Sequence, residues 1–193
     1  MKPPSQEFLK TLLARRDRIY LTGFMGSGKS TIGPILANAI GYEFVDIDRA
    51  IERGSGMSVN EIFREAGEER FRSLEMETLA AFARNARLVV SLGGGTLMDE
   101  TNFRIVTSSG ILIYLKTSPE QILRRVKRRN DRPVLTDPAG DRLTDEALRA
   151  RIDTLYQARE PVYACADLTF TTDERRVGLT VDEIVRTLSR IIG

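Results

Sequence analysis

Hydrophobic positions along the chain follow two rhythms that alternate. Short apolar runs at residues 19–21, 44–47, 88–92 and 110–115, with a brief fifth at 168–171, have strand length. They are apolar throughout rather than at every second position, so both of their faces need cover. That is the mark of a parallel sheet with helices on each side. Between them lies helical spacing. Residues 30–40 carry Ile32, Ile35, Leu36, Ala39 and Ile40, and the last stretch carries Val181, Ile184, Val185, Leu188 and Ile191. Ser58 with Glu61, and Ser118 with Gln121, predict capping boxes that open helices over 58–84 and 118–129; Thr180 with Glu183 predicts the start of the last helix. Gly67 predicts a break in the first of these and Pro34 a kink in the helix of residues 30–40. Pro161 predicts the end of a long helix that begins at Asp145. Residues 5–16 read as a short helix outside this core pattern. The expected fold is therefore a three-layer α/β/α domain on a five-stranded parallel sheet. Residues 1–17 form an extension and residues 18–193 a single domain.

Ligands of such sheets bind at the carboxyl ends of the strands, and the informative motifs fall there. Gly23-Phe24-Met25-Gly26-Ser27-Gly28-Lys29-Ser30 matches GxxxxGK[ST] in full, between a strand and a helix. The glycines let backbone N–H groups turn inward on phosphate oxygens, and the helix N-terminus adds partial positive charge. This reading makes Gly26, Ser27, Gly28, Lys29, Ser30 and Thr31 the nucleotide cradle. Lys29 reaches the β- and γ-phosphates, and Ser30 can ligate Mg²⁺.

The aspartate that usually helps to hold Mg²⁺ is missing, because glycine follows the strand at 88–92. Asp46 takes that role in the expected site, through water. Asp48, two residues on, is expected on the same side of the sheet if the strand persists. It would accept a proton from, or orient, a substrate hydroxyl. Either aspartate can instead cap the next helix.

Composition narrows the partners. Twenty-nine basic residues stand against 27 acidic ones, a net charge of +2, which gives no reason to expect nucleic-acid or membrane binding. The cluster Arg124, Arg125, Lys127, Arg128, Arg129 and Arg132 lacks interleaved aromatics, so it does not change that expectation. No histidine and one cysteine exclude His-dependent triads and ordinary zinc sites. The lone Cys165, expected in or near the core, and the lack of a signal-like or spanning apolar segment suit a cytoplasmic protein.

The motifs GFMGSGKST, DID, IFREAGEERFRSLE, SLGGG, RNDRP and LYQAREPVY occur in this order over residues 19–170. Together they resemble the shikimate kinases, small members of the nucleoside-monophosphate-kinase group of P-loop enzymes. The resemblance implies an ATP- and Mg²⁺-dependent kinase, expected as a monomer, that phosphorylates the 3-hydroxyl of shikimate. It implies that Asp48 binds the ring hydroxyls and that Arg72 and Arg159 grip the shikimate carboxylate. It places the Gly94 backbone against the substrate, Arg125 against adenine, and Arg132 beside the transferring phosphates, and the need for close backbone extends the substrate contact to Gly93 and Gly95. Residues 130–142 would form a mobile lid.

The residue chemistry agrees. A guanidinium meets a carboxylate bidentately, and only glycine lets backbone come close to a small ligand. Plainer roles stay open. Arg72 has helical spacing to Glu68 and Glu75 for a salt bridge, Arg159 can compensate a helix C-terminus, and the three glycines can form a simple turn. Two rival functions also stand beside the main one: a gluconate-type or nucleotide kinase, and a non-catalytic P-loop binding protein.

Overall fold

The computed structural model describes residues 5–127 and 143–192. Arg132, Arg128, Arg129 and the expected lid at 130–142 lie outside the described residues. Five strands, β1 (Arg18–Thr22), β2 (Glu43–Asp46), β3 (Leu88–Ser91), β4 (Ile111–Lys116) and β5 (Leu168–Thr171), form one parallel sheet in the order β2-β3-β1-β4-β5. Register lines up the carboxyl ends that matter. Leu21 and Asp46 both pair with Ser91, so β1, β2 and β3 finish side by side. The loops after them must share one edge, and β1, which carries the phosphate loop, is the central strand.

Alternate side chains of the strands feed two cores, which is why the runs are apolar throughout. Tyr20, Val90, Leu112 and Tyr114 point to one face. There they meet α3 (Ile47–Ser55), α4 (Val59–Phe82), α5 (Glu100–Ser109), α6 (Pro119–Val126) and α7 (Asp145–Tyr163) through residues such as Ile51, Leu79, Val106, Ile122 and Ile152. Ile19, Leu21, Val89 and Ile113 point to the other face. There they meet α1 (Gln6–Ala14), α2 (Lys29–Ile40) and α8 (Val177–Ile192) through Leu12, Leu36 and Ile184. A side chain at Gly33 of α2 would sit 2.2 Å from the Phe44 ring, so that glycine lets β2 lie close under the helix.

The capping box expected at Ser58 opens α4, with Ser58 Oγ accepting from Glu61 N and the Glu61 carboxylate accepting from Ser58 N. Ser118 caps α6 by accepting from Gln121 N, but its own N–H donates to Asp173, so the box expected there is not closed. Gly67 breaks the regular geometry of α4, with φ +80°.

Several expectations change. α1 belongs to the second core rather than lying outside it, since Leu12 is fully buried and α1 packs on α8. Arg15, its C-cap, donates to the carbonyls of Thr107 and Gly110 and pairs with Asp167 at 2.7 Å. α2 runs unbroken across Pro34. α3 and α5, which the apolar spacing did not single out, are capped by Asp46 and Asp99. α8 begins three residues before Thr180, which is buried inside it. α7 passes through Pro161 to Tyr163. Cys165 is exposed, just past that helix. Phe63, whose place in the apolar spacing of residues 58–84 suggests core packing, is exposed, and its ring lies tilted against Phe71 at 4.7 Å between centroids.

Leu12 tests the place of α1. Leu12→Ala should cost about 2–5 kcal/mol of unfolding free energy, as cavity-forming core truncations do. Denaturant unfolding decides it: a variant as stable as the parent would mean that α1 only rests on the surface.

Candidate active site

A cavity of about 640 Å³ opens where the strands end, between the phosphate loop, the start of α3 and the loop after β3. Gly26, Ser27, Gly28, Lys29, Ser30, Thr31, Asp46, Asp48, Gly93, Gly94, Gly95, Arg125 and Arg159 all line it. Residues up to 133 positions apart in the chain are thus brought together.

The phosphate end is built by backbone conformation. Gly28, with φ +105°, is the residue before α2. This left-handed geometry is cheap only for glycine, and it turns the loop into the helix N-terminus. Lys29 Nζ donates to the carbonyls of Gly23 at 2.6 Å and Phe24 at 3.3 Å, which holds its ammonium against the loop. Arg125, from the last turn of α6, donates to Gly26 O at 2.9 Å and Thr172 O at 2.6 Å. The hydroxyl of Thr172 in turn donates to Ser27 O at 3.0 Å. Thr172 was invisible to the sequence reading, because a lone threonine after a strand carries no signal.

The two aspartates divide differently from the strand expectation. β2 stops at Asp46, whose Oδ1 accepts from Arg49 N at 3.3 Å and caps α3. Asp48 lies in the first turn of α3, so the two no longer share a strand face. The cap is Asp46, and Asp48 turns into the cavity. Burial first, then the charges of Asp46 and Glu75, push the Asp48 carboxyl up to about 6, with Lys29 acting the other way.

At the opposite end, each of three successive glycines meets a different charged side chain. A Cβ at Gly93 would lie 3.0 Å from Asp48 Oδ1, one at Gly94 would lie 3.2 Å from Arg159 Nη1, and one at Gly95 would lie 3.0 Å from Arg72 Nη2. None of the three has a positive φ. They are glycines for clearance, not for a special turn.

Arg72 makes the plain ion pairs as well: Glu68 at 3.1 Å and Glu75 at 2.8 Å. It sits behind Gly95 and is not itself on the cavity wall. Glu75, not singled out among the expected site residues although part of the FRSLE motif, is fully buried and also accepts from Thr96 Oγ1. Arg159 lies over the Phe24 ring at 5.8 Å, inside α7 rather than at its end.

The comparisons point the same way. The shikimate kinase family model matches residues 25–189. A shikimate kinase of Chlorobaculum tepidum is 51% identical over 90% of this chain and 91% of its own length. The chain belongs to the shikimate kinase family.

Solved structures agree. A shikimate kinase from Bacteroides thetaiotaomicron superposes with TM-score 0.82 at 32% identity, over 89% of this chain and 98% of that one. A shikimate kinase from Acinetobacter baumannii, solved in complex with shikimate, gives 0.81 at 31%, over 94% and 97%. Among the described residues, no helix is long and apolar enough to cross a membrane.

The Asp48 environment has a measurable consequence. An ordinary aspartate, as in the unfolded chain, has its value at 3.8, below the folded value of about 6. Ionising Asp48 therefore costs the native state. The cost is absent below the unfolded value and fully present above about pH 6. Asp48→Asn should melt at a higher temperature than the parent at pH 8, with the gap closing toward pH 4. Thermal melts across that range check it, and a gap that ignores pH would show that Asp48 is not a costly buried acid.

Proposed function

We propose that this cavity transfers the γ-phosphoryl group of ATP to the 3-hydroxyl of shikimate, giving shikimate 3-phosphate and ADP. The observation that carries the reading is the glycine triplet, whose backbone faces one carboxylate and two guanidinium groups at the far end of a phosphate loop. A small ring acid with several hydroxyls calls for that set: a carboxylate for the hydroxyls, arginine forks for the carboxyl and bare backbone between them.

In the proposed pose, the shikimate carboxylate meets Arg159 and, across Gly95, Arg72. Its hydroxyls face Asp48. The ionised Asp48 orients the 3-hydroxyl and takes its proton as the oxygen attacks the γ-phosphorus in line. The bond to the β-phosphate oxygen breaks, and ADP leaves with that electron pair. Lys29 and the loop N–H groups hold the charge on the phosphate oxygens. Arg132, by family resemblance, is assigned to the same charge. Arg125, pinned by the Gly26 and Thr172 carbonyls, offers its guanidinium to the adenine. Every group invoked comes from one chain, so a monomer suffices. A single cysteine suits a reducing compartment, the cytoplasm.

The donor chemistry of this end of the cavity fits Mg²⁺. Ser30 and Asp46 supply hard oxygen donors on one wall, and the ion takes few protein ligands and keeps water and substrate phosphates for the rest. Among the described residues there is no cluster of three or more His, Cys, Asp or Glu that would hold a metal by itself, so Ser30 and Asp46 are the proposed protein ligands. When bound, Mg²⁺ supplies charge neutralisation on the phosphate oxygens.

The decisive experiment is ATP consumption by the purified protein with shikimate, with gluconate, with nucleoside monophosphates and with no acceptor. Shikimate-dependent turnover is expected, and equal consumption without it would overturn the reading. Lys29→Met should lower that turnover by about 10²-fold or more, the cost of one electrostatic stabiliser.

The arginines and acids make separable claims. Arg72→Lys and Arg159→Lys keep the charge but lose the fork. Each should raise KM for shikimate far more than KM for ATP, whereas equal effects would assign them to the nucleotide or the fold. Asp46→Asn should raise the Mg²⁺ requirement, and Asp48→Asn should stay slow at saturating Mg²⁺. Identical Mg²⁺ titrations of the two would cancel this division of labour.

A further inference from the structure

A carboxylate cradle made of backbone and arginine works only if something holds the two in step. Gly94 is the middle glycine, and its carbonyl accepts a hydrogen bond from the Tyr163 hydroxyl. Tyr163 is 1% exposed, so it cannot itself touch a ligand. It stands four residues after Arg159 in α7, on the same helix face. The absent Cβ of Gly94 marks the meeting point, 3.2 Å from Arg159 Nη1 and 3.9 Å from the Tyr163 hydroxyl oxygen.

The tyrosine is fixed from behind as well. Its ring packs on Tyr114 of β4 at 5.4 Å between centroids, tilted by 45°. Burial pushes its phenol up to about 12, with the neighbouring Arg159 pulling the other way. It is therefore a protonated donor across the neutral range.

This geometry depends on a departure from the sequence expectation. Had α7 ended before Pro161, Tyr163 would not have continued the face that carries Arg159. The helix persists, and the hydroxyl reaches the glycine loop.

We propose that Tyr163 is a positioning residue for the acid substrate: its hydroxyl pins the Gly94 carbonyl beside Arg159, so that the Gly93–Gly95 backbone and the Arg159 fork form one preformed carboxylate cradle. This rests on the reading of the cavity as a shikimate site. It assigns to a buried hydroxyl a role in substrate affinity that ring packing alone would not give.

Tyr163→Phe removes only the hydroxyl and keeps the ring. KM for shikimate should rise about 5- to 10-fold, the worth of one net hydrogen bond. KM for ATP and kcat should stay within about twofold. Tyr114→Phe, which removes the neighbouring buried hydroxyl that contacts Tyr156 at 3.4 Å, should leave KM for shikimate unchanged. In an Arg159→Lys background, Tyr163→Phe should raise KM by less than it does alone, because the two act on one group.

A Tyr163→Phe enzyme with parental KM for shikimate, or with both KM values raised alike, would reduce Tyr163 to core packing. So would full additivity with Arg159→Lys. These outcomes differ from failure of the shikimate reading itself, in which the parent protein would not phosphorylate shikimate at all.

Discussion

A buried carboxylate holds the substrate end of this protein together. Glu75, on α4, is 1% exposed and spends its two oxygens on two elements. Oε1 accepts from Thr96, just past the glycine triplet, and Oε2 accepts from Arg72 on its own helix. An unpaired carboxylate at that depth would cost several kcal/mol, so removing Arg72, its cation, is strongly destabilising. That penalty fixes where α4 lies against the loop after β3. With the loop fixed, Gly93, Gly94 and Gly95 face Asp48, Arg159 and Arg72 in turn. The same pairing explains how Arg72 can satisfy the plain reading of its spacing and still stand beside the cavity: its ion pairs aim it.

The sheet supplies the convergence and also its cost. Parallel strands in register end at one edge, so Asp46, Ser91 and the phosphate loop after β1 crowd together. Asp46 and Glu75 both act on the Asp48 carboxyl, and Lys29 acts against them. Asp48 bears the strain, raised toward neutrality by burial and by its two acidic neighbours. In the proposed mechanism Asp48 is the base, and a base with a value near working pH is better matched to taking a hydroxyl proton than an ordinary carboxylate. On that proposal, the electrostatic stress that weakens the fold is the same feature that suits the chemistry.

What could be read from the sequence was local. The phosphate loop, the capping box at Ser58, the N-cap at Ser118 and the apolar strands each depend on a few adjacent residues, and the structure has them where spacing put them. α3 escaped notice because it starts on the residue directly after β2, Asp46 both ending the strand and capping the helix with no turn between. α5 escaped because Val106 is its only fully buried apolar residue, too few to make a period. Thr180 and Glu183 have the letters of a capping box but lie inside α8, because tertiary packing buries Thr180 and carries the helix back to Val177. The residues that line the cavity could be named one by one, from motif and resemblance, whereas Arg72 stands behind Gly95 and Arg132 lies outside the described residues. The pairing of these residues was not legible: that Gly93 answers Asp48, or that Glu75 and Thr172 carry supporting bonds, depends on strand order, which no local pattern states.

Phe24 shows how closely the two ends of the site are built onto each other. It belongs to the phosphate loop, and its carbonyl accepts from Lys29. Its ring is buried, lies beneath the Arg159 guanidinium and meets the Tyr156 ring at 6.2 Å. The residue that helps to seat Lys29 is thus also the floor under Arg159. The Arg159 guanidinium lines the cavity, while the Phe24 ring beneath it is buried. Both ends therefore meet at one aromatic ring, and displacing Phe24 would disturb both. A phosphoryl transfer that relies on positioning, with little covalent work for the protein, requires that rigidity between donor and acceptor sites.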